Sequence, residues 1–329
     1  MQKIPFNFDW TRYEGGRRMF RAPEGEGTPV SLPDDFIISK PRDPKAESGP
    51  SSGFYPAGRA AYVKTFAMDP TWEGKTVLLD IDGAYMNTEV TLNDDLLALH
   101  PYGYTPYYVD LTRTLKDENT LMITTDSIQP SSRWYSGGGI YREVSLLVAG
   151  STYLHPLDVF LYTKEACTER AVVAVEAEIT NLAEERNLSL TVCFDGQTVA
   201  CRTVHVFPGK TSIAFDITLE DPKLWSAEDP LLYDVCLALL EDGTVLDTHE
   251  LSFGVRKIEI DSTNGMRVNG VPVKLRGGCI HHDNALLGAR ALPRAEERKI
   301  QALKDVGYNA IRSAHNPPSA ALLDRKSVV

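Results

Sequence analysis

The sequence has few cysteines, and none of them are grouped. Its 329 residues include five cysteines, an odd number, and no two show the C-x-x-C spacing of zinc and redox sites. Cys193 and Cys201 flank an Asp195-Gly196 turn whose regular hairpin register places Cys193 opposite Thr198 and Cys201 opposite Leu190. This register keeps the two thiols apart. Neither a disulfide framework nor a zinc site is indicated, and we expect reduced, mostly buried thiols.

Long basic runs and long apolar runs are also absent. Lys and Arg total 34 against 45 Asp and Glu, for a net charge of −11, and no basic stripe offers itself to a phosphate backbone. No apolar stretch approaches the ~18–20 residues of a membrane span. The first residues, MQKIPFNFDWTRYEGG, lack the charged and apolar regions of a secretory signal. We therefore expect no nucleic-acid or membrane partner and a cytoplasmic location.

Residues 1–152 contain short alternating segments separated by turn residues. In KTVLLDID, the side chains of Val77, Leu79 and Ile81 share one face, as in a strand with one buried side. NTEVTL repeats this alternation before Asn93-Asp94-Asp95 turns the chain. Such repetition with turn signals predicts a β-sandwich over residues 1–152.

Residues 153–258 form a second all-β segment. In AVVAVEAEIT, Val173, Val175, Ala177 and Ile179 point to one side and glutamates to the other. TSIAFDITL shows the same alternation. About a hundred residues of this pattern fit an immunoglobulin-like sandwich, although the Cys-Trp-Cys hallmark of antibody domains is absent.

The pattern changes in residues 259–329. MRVNGVPV predicts a hairpin with an Asn269-Gly270 turn, and VKLRGG and YNAIRSAH each predict a short strand. Between them, PRAEERKIQALKDVG predicts a helix that begins at Pro293 and ends at Gly307. NPPSAALLD predicts a further helix with prolines in its first turn. A strand, a helix and a strand within about forty residues indicate a βαβ unit with parallel strands.

Five segments together resemble one enzyme family. LNDDLLALHPYGYTPYYVDLT, SSRWYSGGGIYREVSLL, DPKLWSAEDPLLY, FGVRKIEI and RGGCIHHDN…YNAIRSAHNPP occur in the order found in glycoside hydrolase family 2. This family holds β-galactosidases, β-glucuronidases and β-mannosidases. The resemblance implies a mainly β chain: a jelly-roll sugar-binding sandwich in 1–152, an immunoglobulin-like sandwich in 153–258, and the first βα units of a (β/α)8 TIM barrel in 259–329.

The resemblance also implies a set of substrate-binding residues. In such a barrel the active site lies at the carboxyl ends of the strands. His281 and Asp283 would follow the first barrel strand, and Arg312, His315 and Asn316 would lie at the end of the second. The family pattern R-x-S-H-x-P matches Arg312, His315 and the following proline. The pattern N-x-H-E is met only in part, because a cysteine and a second histidine replace Asn and Glu, so His281 is favoured over its neighbour.

The implied reaction is retaining hydrolysis of terminal β-glycosides, most simply of β-galactosides. It requires two carboxylic acids about 5–5.5 Å apart. In this family they are glutamates near the ends of later barrel strands. Residues 259–329 supply about two of eight strands, so we expect no catalytic residue in this chain and no activity. The ending RKSVV is typical of a truncation or frame change rather than of a natural helix end.

Other interpretations remain beside this one. A stand-alone carbohydrate-binding or scaffold protein of two sandwiches is the main alternative, whereas a metal-dependent lyase is disfavoured by the sparse set of ligands. His281, His282 and Asp283 are a weak metal candidate, because adjacent strand residues point to opposite faces. Trp134 and Tyr135 could stack on a sugar, but we favour a role with Arg133 and Arg142 in locking two domains together.

The sequence says less about cofactors and assembly. The implied reaction needs no cofactor, and structural Mg2+, Ca2+ or Na+ ions are left open, as is a homo-oligomer. The expected partner is a β-linked oligosaccharide or glycoside. Which sugar is cleaved stays open, because the barrel loops that distinguish galactose, glucuronate and mannose lie outside these residues.

Overall fold

A computed structural model describes residues 1–15, 25–130 and 134–324. Within it the chain forms two compact units. One unit, here called the sandwich unit, comprises Lys3–Val148 and the described part of Gly277–Lys326. The other, the central unit, comprises Met1–Gln2 and Ala149–Arg276. The division into three domains at 152 and 258 stays a prediction.

The sandwich unit begins with ten strands in two sheets. The strands are β1 (Gln2–Pro5), β2 (Trp10–Glu14), β3 (Thr28–Val30), β4 (Gly58–Ala67), β5 (Thr76–Ile81), β6 (Thr88–Leu92), β7 (Asp95–His100), β8 (Tyr107–Asp110), β9 (Glu118–Ser127) and β10 (Val144–Ala149). One sheet has the order β1-β10-β5-β8 and the other β3-β2-β4-β9-β6-β7. Their facing side chains form one core, which includes the predicted inward residues Val77, Leu79 and Ile81.

The central unit contains a second sandwich and a small sheet. Its strands are β11 (Thr152–Ala166), β12 (Arg170–Asn181), β13 (Arg186–Phe194), β14 (Gln197–Val206), β15 (Gly209–Glu220), β16 (Tyr233–Glu241), β17 (Thr244–Phe253), β18 (Ile258–Asp261), β19 (Gly265–Val268) and β20 (Val271–Pro272). The sheets β11-β12-β15 and β14-β13-β16-β17 enclose one core, and β18-β19-β20 pair separately. The mainly β prediction with two sandwiches is confirmed.

Local alternation predicts the central sandwich well. Val173, Val175, Ala177 and Ile179 are all buried in its core. They belong to β12, which pairs with β11 on one side and β15 on the other. A strand with neighbours on both edges can still expose part of one face, and Glu176 and Glu178 lie on that face of β12.

The cysteine prediction was partly wrong. Cys193 lies opposite Thr198, as predicted, but Cys201 lies opposite Thr191 rather than Leu190. A β-bulge opposite Val192 and Cys193 adds one residue, Val199, to β14 and shifts the register. The five free cysteines are exposed or half-buried, not mostly buried, because those on β13, β14 and β16 alternate with the core residues of their strands.

The remaining elements of the sandwich unit form the predicted βαβ arrangement. They are β21 (Gly277–Ile280), helix α1 (Pro293–Asp305), β22 (Ala310–Ser313) and helix α2 (Ala320–Asp324). β21 and β22 pair in parallel. That these two strands are the first strands of a (β/α)8 barrel stays a prediction. The last five residues, 325–329, lie outside the described range.

Two local predictions in this segment were wrong. The strand predicted at VKLRGG begins only at Gly277, where an added Cβ would lie 1.9 Å from the carbonyl oxygen of Ala310. Glycine therefore allows the close approach of the two strands. The prolines of NPPSAALLD precede α2 rather than opening it, and Ser319 caps its first turn by accepting from Leu322 N–H at 3.2 Å.

One carboxylate joins three segments of the sandwich unit. Asp35 is 3% exposed and accepts backbone N–H groups from Ile37 at 3.0 Å, Gly138 at 3.1 Å and Ala289 at 2.8 Å. The hydroxyl of Tyr135 donates to it at 2.7 Å. Burial raises the pKa of Asp35, although these four donors favour its charged form. The loop after β21 is held to the sandwich at this point.

Asp35→Asn should destabilise the sandwich unit strongly. An amide NH2 would face N–H or O–H donors, so at least one buried donor would lose its acceptor, at about 2–4 kcal/mol of unfolding free energy. Urea unfolding followed by tryptophan fluorescence measures this, because Trp10, Trp72 and Trp134 all lie in this unit. Exposed Asp95 provides the matched Asp95→Asn control. Equal loss in both variants would contradict the assignment.

Candidate functional site

Two histidines lie together where the parallel strands β21 and β22 end. In the ladder, Cys279 is opposite Arg312 and Ile280 is opposite Ser313. His281 follows directly, and His315 comes two residues after β22. Their ring centroids are 5.8 Å apart with planes at 89°. The carboxyl ends of parallel strands thus bring residues more than thirty positions apart in sequence onto one edge.

Trp134, from the loop before β10, stands against this edge. Its ring stacks on His281 with a centroid distance of 4.8 Å and an interplanar angle of 17°. Its indole N–H donates to Asp283 Oδ1 at 2.8 Å. The indole is 47% exposed, so an aromatic surface faces solvent beside the two histidines.

Arg312 orients His315. One guanidinium nitrogen of Arg312 lies 2.9 Å from Nδ1 of His315 and 3.6 Å from Sγ of Cys279. Arginine only donates, so Nδ1 of His315 accepts and the ring hydrogen is on Nε2. This leaves the Nε2–H of His315 as a donor at the site.

The residues after β22 form a turn that places Asn316. Tyr102 donates its hydroxyl to Oδ1 of Asn316 at 2.7 Å, and Ser313 donates to the Asn316 carbonyl at 2.6 Å. With Oδ1 engaged, the amide NH2 of Asn316 is left to donate.

Arg142 holds the turn after β22 in place through a hydrogen bond. It is fully buried and donates to the carbonyl of Pro317 at 2.8 Å. Its other terminal nitrogen donates to the carbonyls of Tyr104 at 3.1 Å and Asp82 at 3.2 Å. The guanidinium thus ties loops of the sandwich to the turn that carries Asn316.

These side chains surround one open depression of about 380 Å3. Its lining residues are Tyr104, Trp134, His281, His282, Ala314, His315 and Asn316. Ring nitrogens, an amide and an aromatic face converge on it, and among these described residues there is no carboxylic acid, lysine or arginine. The arrangement can bind a neutral polyol but has no acid and nucleophile pair of its own.

The five predicted site residues fall into two groups. His281, His315 and Asn316 line the depression. Asp283 and Arg312 do not, and instead hold Trp134 and His315 in place. Their roles toward a substrate stay predictions.

The aromatic side of the depression was only partly predictable. Trp134 lines the depression and also joins the loop before β10 to the segment after β21 through Asp283, in line with the predicted locking role. Tyr102 and Tyr104 carried no prediction of their own. Arg142 and Tyr135 do join segments through Pro317 and Asp35, while Arg133 lies outside the described residues. A run of tyrosines in HPYGYTPYY was the available signal.

His282 occupies a different environment from His281. Its Nε2–H donates to the carbonyl of Ser136 at 3.2 Å, and its ring contacts the edges of Tyr104 and Tyr141 at centroid distances of 5.1 and 5.6 Å. Burial lowers its pKa to about 4. His282 is therefore neutral at pH 7, and its Nε2–H is engaged by Ser136, although its ring also lines the depression.

The weak metal candidate gains no support from the geometry. Within the described residues, no three His, Cys, Asp or Glu side chains are arranged to hold a metal ion. His281 and Asp283 both contact the indole of Trp134, whereas His282 donates to Ser136, so the three side chains do not converge on one point. Separately, no helix among the described residues is long and apolar enough to cross a membrane.

Acid should destabilise the sandwich unit partly through His282. The unfolded chain, with a histidine pKa of about 6.5, binds a proton before the folded unit does, so the free energy of unfolding falls between about pH 6.5 and pH 4. The contribution of His282 to the free energy of unfolding is fully present above pH 6.5 and amounts to at most about 3–4 kcal/mol. The variant His282→Gln keeps an N–H donor but has no group that titrates. Its free energy of unfolding should therefore fall less on acidification. Urea unfolding at pH 7 and 4.5 tests this, and equal falls would refute it.

Comparisons with known proteins place the chain in one family. Residues 152–256 match the model described as glycosyl hydrolases family 2. Beta-galactosidase BoGH2A of Bacteroides ovatus is 33% identical over 337 residues, which cover 98% of this chain and 40% of that protein. A beta-glucuronidase of Bacteroides fragilis is 29% identical over 291 residues, which cover 82% of this chain and 42% of that protein.

Solved structures agree over almost the full chain. A glycosyl hydrolase family 2 member from Bacteroides cellulosilyticus superposes with a TM-score of 0.93 at 33% identity, covering 99% of this chain and 44% of that one. A beta-glycosidase from Bacteroides vulgatus gives 0.91 at 27% identity, with 99% and 43% covered. The chain spans less than half the length of these relatives. On this agreement in sequence and fold, the chain belongs to glycosyl hydrolases family 2.

Proposed function

We propose that this chain carries part of the sugar-recognition site of a retaining glycosidase that cleaves terminal β-glycosides, with a β-galactoside as the favoured substrate. His281, His315 and Asn316 bind the pyranose directly. Asp283 and Arg312 act through Trp134 and His315. The observation that carries the proposal is the convergence of these groups on one depression at the ends of two parallel strands.

The chemistry of the depression suits a sugar. A pyranose presents hydroxyls in fixed directions, together with an apolar C–H face that stacks on aromatic rings. His315 offers an N–H and Asn316 an NH2, each held by a neighbouring side chain. The exposed indole of Trp134 offers a flat surface beside them. Fixed donors favour binding, because little side-chain entropy is lost when the sugar arrives.

The charge of the lining favours a neutral sugar over a uronic acid. A glucuronate carboxylate is best recognised by arginine or lysine. Arg312 lies beside the depression, but its guanidinium already contacts His315 and Cys279. Relatives of this chain are named as beta-galactosidase and as beta-glucuronidase. A described lining without lysine or arginine supports the galactoside.

The two catalytic carboxylic acids lie, in this proposal, outside the 329 residues. Retaining hydrolysis needs them about 5–5.5 Å apart across the scissile bond. The described lining residues hold none, and the chain spans about 40% of its beta-galactosidase relative. The chain alone therefore binds without hydrolysing. No metal or organic cofactor is needed by a mechanism that uses two carboxylic acids.

Binding of a monosaccharide glycoside by the 329-residue chain should depend on the depression. Asn316→Ala and His281→Ala each remove a polar contact and should weaken the affinity for methyl β-galactoside roughly tenfold, as expected for about 1.4 kcal/mol. Calorimetric titration, or ligand-observed NMR for weak binding, measures it. His205→Ala, at an exposed position of the central unit, is the matched control. Weakening by the control as well would contradict the site, as would no binding by the parent chain.

Hydrolysis should require residues beyond this chain. On a panel of chromogenic β-galactoside, β-glucuronide and β-mannoside, we expect no turnover by the 329-residue chain and turnover of the galactoside by any longer product of the same gene. Turnover by the short chain would overturn the placement of the acids. Sugar binding by both products with hydrolysis by neither would favour the alternative of a carbohydrate-binding protein.

A further inference from the structure

Two cysteines of the central unit face each other across neighbouring strands. Cys193 on β13 is the direct register partner of Cys236 on β16. Directly opposite residues of an antiparallel pair project to the same face of the sheet. Both side chains are half-buried, and both line an open depression of about 520 Å3 on the outer face of this sheet.

The Cα separation expected at this position lies within the range of disulfide bonds. Asp195 N–H donates to the carbonyl of Asp234 at 2.8 Å, and hydrogen-bonded pairs alternate along an antiparallel ladder. Two residues further along, Cys193 and Cys236 therefore form a pair of the same type, for which the Cα atoms lie about 5.5 Å apart. Disulfides form readily at Cα distances of about 5.5–6 Å. No bulge interrupts the pairing of β13 with β16.

The neighbours of the two thiols differ. Sγ of Cys193 lies 3.4 Å from the hydroxyl of Thr198. Cys236 lies opposite Glu250 on β17. Burial raises the pKa of Cys236, and the carboxylate of Glu250 adds to this effect. Because the thiolate is the attacking species, the raised pKa makes Cys236 a poor first nucleophile.

We propose that Cys193 and Cys236 form a dithiol site that reacts with a small-molecule disulfide, such as oxidised glutathione, to give a cross-strand disulfide bond. The Cys193 thiolate attacks one glutathione sulfur, which breaks the S–S bond and releases one glutathione. The Cys236 thiolate then attacks Sγ of Cys193 in the mixed disulfide and releases the second. Two protein thiols are oxidised, and one oxidised glutathione is reduced to two glutathione molecules.

The other cysteines lack this arrangement. Cys201 is exposed on β14 opposite Thr191, and Cys167 is exposed in the turn between β11 and β12. Cys279 belongs to the sandwich unit. Closure should therefore be specific to one pair among the five cysteines, and would link two strands that lie side by side.

Alkylation with N-ethylmaleimide counts the reacted thiols. After incubation of the folded chain with oxidised glutathione and gel filtration, labelling in denaturant should fall from five thiols to three, and dithiothreitol should restore five. The intact mass should fall by about 2 Da without a glutathione adduct. In Cys193→Ser and in Cys236→Ser, no disulfide can form between the two positions. Each variant should therefore lose at most one thiol, as a glutathione adduct on the remaining cysteine.

Peptide mapping identifies the pair. Trypsin places Cys193 and Cys201 together in residues 187–202 and Cys236 in residues 224–256. A cross-link between these peptides should persist in Cys201→Ser, which is the matched control on the neighbouring strand. Far-ultraviolet circular dichroism checks that each variant folds, and the same oxidation in urea shows whether closure depends on the fold.

Three results would overturn the proposal. Five thiols after oxidation would show that the pair does not close. A lasting glutathione adduct at Cys193 in the parent chain would show that Cys236 cannot reach it. Loss of the cross-link in Cys201→Ser, with a normal circular dichroism spectrum, would assign the bond to Cys201 instead.

Discussion

The candidate site depends on one buried charge. A carboxylate taken out of water is tolerated only where donors replace its hydration, and Asp35 finds four donors on three separate segments. One of them, Ala289 N–H, belongs to the loop that follows the two histidines. The same loop buries Ala289 against Tyr104 and Tyr141 and donates from Ala291 N–H to the Tyr141 carbonyl. Together with the Arg142 contact to Pro317, these contacts hold the strand-end residues against the sandwich.

The depression therefore has two walls of different origin. The residues that follow β21 and β22 contribute His281, His315 and Asn316, whereas loops of the sandwich contribute Tyr104 and Trp134. Each polar group is held by a neighbour: His315 by Arg312, Asn316 by Tyr102 and the indole of Trp134 by Asp283. Two of the predicted ligands thus support other residues. A side chain near a substrate need not touch it to decide where the contacting atoms lie.

Much of the fold was predictable because it rests on short-range patterns. Alternation from Val173 to Ile179 predicted a half-buried strand, and Pro293 followed by glutamates predicted the start of α1. The aromatic wall was not predictable in the same way, since Trp134 and His281 meet only through tertiary structure. Glu296 is another example: a glutamate in a first helical turn is usually exposed, yet it is 2% exposed and accepts from Asn284 and Lys299. The start of β21 at Gly277 was not predictable, because glycine usually weakens a strand. Here glycine is needed, because β21 and β22 approach each other closely.

The sandwich unit is discontinuous along the chain, with Ala149–Arg276 lying between its two parts. A ribosome adding about 5–20 residues per second needs on the order of ten seconds to make that intervening stretch. During this interval Asp35 lacks the hydrogen bond from Ala289 N–H, and the loop that carries Trp134 lacks its contact with His281. Assembly of the site is therefore a late event of synthesis, and a chaperone that shields this surface would act between the emergence of the two parts.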